Sequence, residues 1–119
     1  MHRSVVADAS GLLVLAGLVE GLAHDAEEIV ALDATSLLLA EYLALRHQGR
    51  PARAEVDYGL ACSVVAEWFP VRGVALEAAL AAEDDIDGVA ALGLAHSLQV
   101  PLVTKNRDLT SRQIPVLYS

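Results

Sequence analysis

One cysteine, Cys62, is too few for an internal disulfide or a cysteine-built metal cluster, and its apolar surroundings read as those of a small core residue. Long hydrophobic runs are also missing: no stretch approaches the roughly 18 apolar residues of a membrane-crossing helix. The opening Met1-His2-Arg3-Ser4-Val5-Val6-Ala7-Asp8 meets an acid too early for a secretory leader. The expectation is a cytoplasmic protein with no membrane partner. No internal repeat, low-complexity tract or linker interrupts the 119 residues, so 1–119 read as one domain. Positive charge is scarce, with 8 Lys and Arg against 16 Asp and Glu and a net charge of −8, which argues on average against a phosphate-rich partner. The distribution qualifies that average. Arg46, His47, Arg50 and Arg53 share one acid-free window, and Lys105, Arg107 and Arg112 share another that holds only Asp108. Six of the eight basic residues therefore fall in two short stretches, which read as a local basic rim on an acidic body or as two solvated loops.

What is present is apolar: 55% hydrophobic residues and a mean hydropathy of +0.45, an excess that suggests a surface covered by a partner and makes a homodimer the expectation. The pattern alternates short strands with longer helices. Residues 4–7 read as a buried strand, followed by Asp8 and Ser10 as turn and cap and a helix over 12–22. Residues 28–32 read as a second strand, and Asp33 or Thr35 as the cap of a helix that ends near Gln48-Gly49, with Pro51 beyond. A third helix is predicted over 58–68 with Asp57 as its cap and Pro70 as its stop. Helices over 74–82 and 88–98 follow, separated by the acidic run Glu83-Asp84-Asp85-Ile86-Asp87. Residues 101–103 and 114–118 read as strands, the last placed at an edge by Pro115. The implied fold class is α/β, with a central, mostly parallel sheet of four to five short strands and helices on both faces. Ligands of such sheets gather at the carboxyl ends of the strands, where Asp8 and Asn106 both fall.

Glu41 stands out because Leu37, Leu38, Ala44 and Leu45 would surround it on a helix. A carboxylate in such a setting calls for a metal or a cation as partner. Asp8, Asp87 and Asn106 are the polar residues that the ends of strands and starts of helices could bring to it.

Taken together, Val5-Val6-Ala7-Asp8-Ala9-Ser10, a Glu inside a helix some thirty residues on, Ile86-Asp87-Gly88 before Ala90-Ala91-Leu92-Gly93-Leu94-Ala95, and Pro101-Leu102-Val103-Thr104-Lys105-Asn106 resemble the PIN domain, closest to the VapC-type toxins of toxin–antitoxin pairs. The resemblance covers most of the chain, with 50–80 contributing little. It implies a three-layer fold and metal-dependent hydrolysis of RNA that leaves a 5′-phosphate and a 3′-hydroxyl. Asp8, Glu41 and Asp87 would be the catalytic acids and, with Asn106, the ligands of Mg²⁺ or Mn²⁺. It further implies Ser10, Thr104, Lys105 and Arg107 on the substrate, with an antitoxin as protein partner. A hard divalent cation is suited to such oxygen donors, and it supplies an activated water and charge neutralisation at phosphorus. The commonest pattern has Asp where this chain has Asn106, which brings no negative charge and cannot act as a base.

Plainer roles exist for each residue. Asp84, Asp85 and Asp87 precede a helix, where acids are favoured; Asp8 could simply cap one; Glu41 could pair with Arg46; Trp68 and Phe69 read as core. The histidines share no ligand spacing. A second function follows from Asn106: a PIN-like binding or assembly module that no longer cuts. A phospho-acceptor receiver domain would need paired acids after the first strand, where Asp8 stands alone.

Overall fold

The computed structural model describes residues 3–22 and 24–119. These residues form five strands and five helices, in the order β1 (Ser4–Ala7), α1 (Ala9–Leu15), β2 (Glu28–Leu32), α2 (Thr35–Arg46), α3 (Pro51–Ser63), β3 (Glu67–Phe69), α4 (Gly73–Ala81), α5 (Ile86–Leu98), β4 (Leu102–Thr104) and β5 (Val116–Tyr118). The strands form one sheet in the order β3-β2-β1-β4-β5, and every pairing is parallel. β1 is central, with Val6 registered against Val30 on one side and Leu102 on the other.

Strand periodicity sends alternate residues to opposite faces. Val6, Val30, Leu32 and Leu102 pack under α4 and α5, against Ala75, Ala90, Ala91, Leu94 and Ala95. Val5, Ala7, Ala31 and Val103 pack under α1, α2 and α3, against Leu12, Leu13, Leu39, Leu43 and Ala61. The result is the expected three-layer α/β architecture, with the sheet wholly parallel.

Several boundaries differ from the sequence expectation, each for a local reason. α1 stops at Leu15 rather than running to residue 22, because Gly17 takes the left-handed conformation at φ 74° and turns the chain out. The third helix is Pro51–Ser63 and not 58–68: Pro51 opens it, its fixed φ suiting the first helical turn. Glu67–Phe69 is then an edge strand. Asp57 is therefore no cap. It lies buried within α3, and its Oδ2 sits 2.7 Å from His47 Nε2 at the end of α2, while His47 Nδ1 is buried with no partner among the described residues.

Neither Asp33 nor Thr35 caps α2 by its side chain; the N-cap is Ala34. α5 begins at Ile86, with Asp85 as its cap. β4 and β5 are each shifted or shortened to three residues, and β5 lies at the edge as Pro115 suggests.

Candidate active site

β1 leads to β2 on one side of the sheet, whereas its other neighbour, β4, arrives from the far end of the chain. That reversal opens a crevice at the carboxyl ends of β1 and β4, where open α/β sheets bind ligands. Asp8 follows β1 directly and Lys105-Asn106 follow β4.

Asp8 is 2% exposed. Its Oδ1 accepts from the Ser10 hydroxyl at 2.8 Å and the Gly11 amide at 2.9 Å, and its Oδ2 accepts from the Thr104 hydroxyl at 2.6 Å. Gly11 is required for this seat, since a Cβ there would lie 2.2 Å from the Val103 carbonyl oxygen.

Asp87, in the first turn of α5, accepts from the Ala9 amide at 2.8 Å on Oδ2 and from the Thr35 hydroxyl at 2.6 Å on Oδ1. One acid thus caps α1 through the Gly11 amide and the other reaches the same helix start through the Ala9 amide, so both carboxylates are held at the first turn of α1. Thr35 is fully buried. The sequence suggested a helix cap for it; its hydroxyl instead orients Asp87, a role visible only once α2 and α5 are brought together.

Burial pushes the Asp8 carboxyl up from 3.8 to about 6. The hydrogen bonds from Thr104, Gly11 and Ser10 oppose that shift, and the nearby Asp87 charge adds to it. Asp87 is likewise raised, first by burial, against the pull of the Ala9 and Thr35 hydrogen bonds, with Asp85 adding to the rise.

The rim is tied together further. The Lys105 amide donates to Ser10 Oγ at 2.9 Å and the Asn106 amide to Thr104 Oγ1 at 3.0 Å. Asn106 spends its side chain on the rim itself: Nδ2 donates to Asp85 Oδ2, and Oδ1 accepts from the Asp108 amide at 3.0 Å. Asp85, in the left-handed region at φ 41°, also accepts from the Gly88 amide. The capping role that the sequence offered for Asp85 is thus the one it plays.

No family model and no curated protein matches the sequence. What the site does chemically rests on its own groups.

Glu41 departs from the expectation that it is buried and in need of a partner. α2 buries Thr35, Leu39 and Leu43, a single stripe toward the sheet. Glu41 is exposed, together with Leu37 at 73% and Leu45 at 67%. Among the described residues it makes no hydrogen bond or ion pair, and Arg46 turns instead to the Leu18 carbonyl at 2.7 Å. The apolar run misled because only one stripe of it meets the core.

Leu38, one turn before Glu41, lines a hollow with Asp87 and Ile86, and Tyr42, the next residue, lines a cleft with Ala9 and Ser10. Glu41 thus lies on α2 between two residues that line hollows beside the acid pair, and is itself exposed. Arg107 lies over the Tyr118 ring, 5.3 Å from its centroid.

Among the described residues no three His, Cys, Asp or Glu side chains gather closely enough to hold a metal ion. The gathered set is two carboxylates with the hydroxyls of Ser10, Thr35 and Thr104. These are hard oxygen donors, and Mg²⁺ typically uses only one or two carboxylates while keeping several waters. Among the described residues, Asp8 Oδ2 and both oxygens of Asp87 each accept only one hydrogen bond, leaving lone pairs for a cation. The donor set fits such an ion.

Proposed function

We propose that the chain is a Mg²⁺- or Mn²⁺-dependent endoribonuclease, acting in the cytoplasm as the toxin of a toxin–antitoxin pair. The observation that carries this reading is the pairing of Asp8 and Asp87. Two acids far apart in the sequence, Asp8 buried and Asp87 partly so, are both held by amides of the first turn of α1 at the sheet's switch point, where burial disfavours their charges until a cation joins them. A divalent ion bound there would supply a nucleophilic water and neutralise charge on the phosphoryl oxygens. Asp8 and Asp87 bind; Ser10, Thr104 and Thr35 lock their rotamers, which holds the donors in place before substrate arrives. Glu41, exposed and unpaired among the described residues, is free to approach the substrate side of the ion and orient the attacking water. Lys105 and Arg107, on the loop after β4, hold the RNA backbone. Asn106 acts chiefly by bracing Asp85, with one lone pair of Oδ1 left for a water.

The outer faces of α2 and α4 expose Leu37, Leu38, Leu45, Leu76 and Leu80, and Ile86 is exposed at the start of α5. This apolar surface supports a homodimer, with an antitoxin's apolar segment covering what the second copy leaves open.

The test is an RNA cleavage assay with metal titration on wild type and Asp8→Asn. Cleavage that needs Mg²⁺ or Mn²⁺ and disappears in the variant supports the reading, whereas undiminished cleavage in the variant and in chelator overturns it. Asn106 being engaged within the rim favours one alternative, a PIN-like binding module without nuclease activity. A wild type that cuts no RNA in any divalent metal yet binds a protein partner tightly would select it.

A further inference from the structure

A cleft of about 350 Å³ lies beside the acid pair, lined by Ala9, Ser10, Leu13, Val19, Tyr42 and Lys105. Its floor is the start of α1, the same Ala9 and Ser10 that bond to Asp87 and Asp8, so an occupant would sit next to the acids. One wall is Tyr42, 41% exposed, whose hydroxyl has no hydrogen bond among the described residues. Val19 is another lining residue, and two cations bond the carbonyls on either side of it in the chain. Arg46 donates to the Leu18 carbonyl at 2.7 Å and Lys105 Nζ to the Glu20 carbonyl at 2.7 Å. Arg46 lies one turn beyond Tyr42 on α2. Each cation spends one donor on the chain and keeps others, an ammonium having three and a guanidinium five.

An accessible aromatic ring, a mostly apolar lining, a lysine in the wall and an arginine one helical turn beyond the ring form the combination by which single-stranded nucleic acids are held: bases stack on the ring and phosphates meet the charges. On a chain of net charge −8, one of its few cations lining the cleft and a second close by match a polyanion locally. The volume is at the small end of ligand pockets, which suits one nucleoside and excludes a duplex.

We infer that this cleft is a base-binding subsite for single-stranded RNA: a base next to the scissile phosphate stacks on Tyr42, and its flanking phosphates meet Lys105 and Arg46. The inference rests on the nuclease reading for the identity of the strand, not for the existence of the subsite.

The test is fluorescence anisotropy of a short labelled oligouridylate in EDTA, where nothing is cut, with wild type, Tyr42→Ala, Tyr42→Phe and Lys105→Gln, each checked for folding by circular dichroism. Loss of one stacked base weakens binding by roughly 5- to 150-fold in Tyr42→Ala, while Tyr42→Phe stays within about twofold because the ring acts rather than the hydroxyl. Lys105→Gln lowers the slope of log affinity against log salt by about 0.7. Duplex RNA of equal length binds more weakly. Equal binding by wild type and Tyr42→Ala, no binding by wild type, or duplex bound as tightly as single strand overturns the inference. So does a Tyr42→Ala effect confined to the mass seen by light scattering, which would mean the cleft receives a second copy of the chain. Mg²⁺-dependent cleavage of the same oligouridylate separates the two readings. Tyr42-dependent binding without cleavage sinks the nuclease alone, and cleavage with unchanged KM in Tyr42→Ala sinks the subsite alone.

Discussion

Replacing Asp8 by Asn removes a buried negative charge while keeping the side chain's shape. In the metal-free protein the Asp8 carboxyl ionises near 6 rather than 3.8, so the folded state holds a proton that the unfolded chain has released. Between about pH 4 and 6 the native state binds more protons than the unfolded state, and stability therefore falls as pH rises through that window. The contribution is fully present below about 4 and lost above about 6. At about 1.4 kcal/mol per tenfold change in proton affinity, the span corresponds to about 3 kcal/mol. Asp87, raised in the same direction, adds to it.

The amide in Asp8→Asn can still accept from Gly11 and Ser10. Thr104 can rotate to accept from the new NH₂, since a hydroxyl serves either way. The variant should match wild type near pH 4 and exceed it at pH 7 in EDTA, by up to about 3 kcal/mol or roughly 10 °C in Tm for a domain of this size. Adding Mg²⁺ should raise the Tm of wild type at pH 7 and leave that of the variant unmoved. Thermal unfolding followed by circular dichroism from pH 4 to 7, with and without Mg²⁺, measures all of this. A variant less stable than wild type at pH 7 in EDTA, or parallel pH profiles, would refute the burial argument.

Other substitutions probe other links. Glu41→Gln should leave stability within about 0.5 kcal/mol, as for an exposed residue, yet reduce cleavage at least tenfold; full activity in that variant removes Glu41 from the mechanism. Gly11→Ala places a methyl against the Val103 carbonyl and should cost about 3 kcal/mol in urea unfolding or prevent folding; a neutral effect would mean the α1–β4 contact is looser than described. Asp57→Asn alters the buried contact with His47 and should cost about 1–3 kcal/mol without changing cleavage per folded molecule, measured by denaturant titration beside the RNA assay. Asp87→Asn should abolish cleavage while retaining the fold, because an amide oxygen can still accept from Ala9 and Thr35; residual cleavage near wild-type level would count against the acid pair.

The layered architecture was legible because apolar strands and helices alternate with distinct periods, and β1 and β2 fall on the expected residues 4–7 and 28–32. Asp8 and Asn106 were legible together because strand ends in a parallel sheet converge on one rim, whereas Ser10 and Thr104 came only with the family resemblance. What the sequence hid depended on packing partners far along the chain. Pro51 looked like the end of one helix and was also the start of the next. Thr35 and Tyr42 carry no motif, and their places follow only from how α2 lies beside α5 and α1. Glu41 was misjudged because eight apolar neighbours do not say which side of a helix the sheet takes.

The two outermost strands, Glu67–Phe69 and Val116–Tyr118, are three residues long apiece. So brief a row of open amide and carbonyl groups gives a foreign β-segment little to zip onto. Self-association of this chain should therefore proceed through helix surfaces and remain reversible, with no growth of fibrillar ladders from its sheet margins.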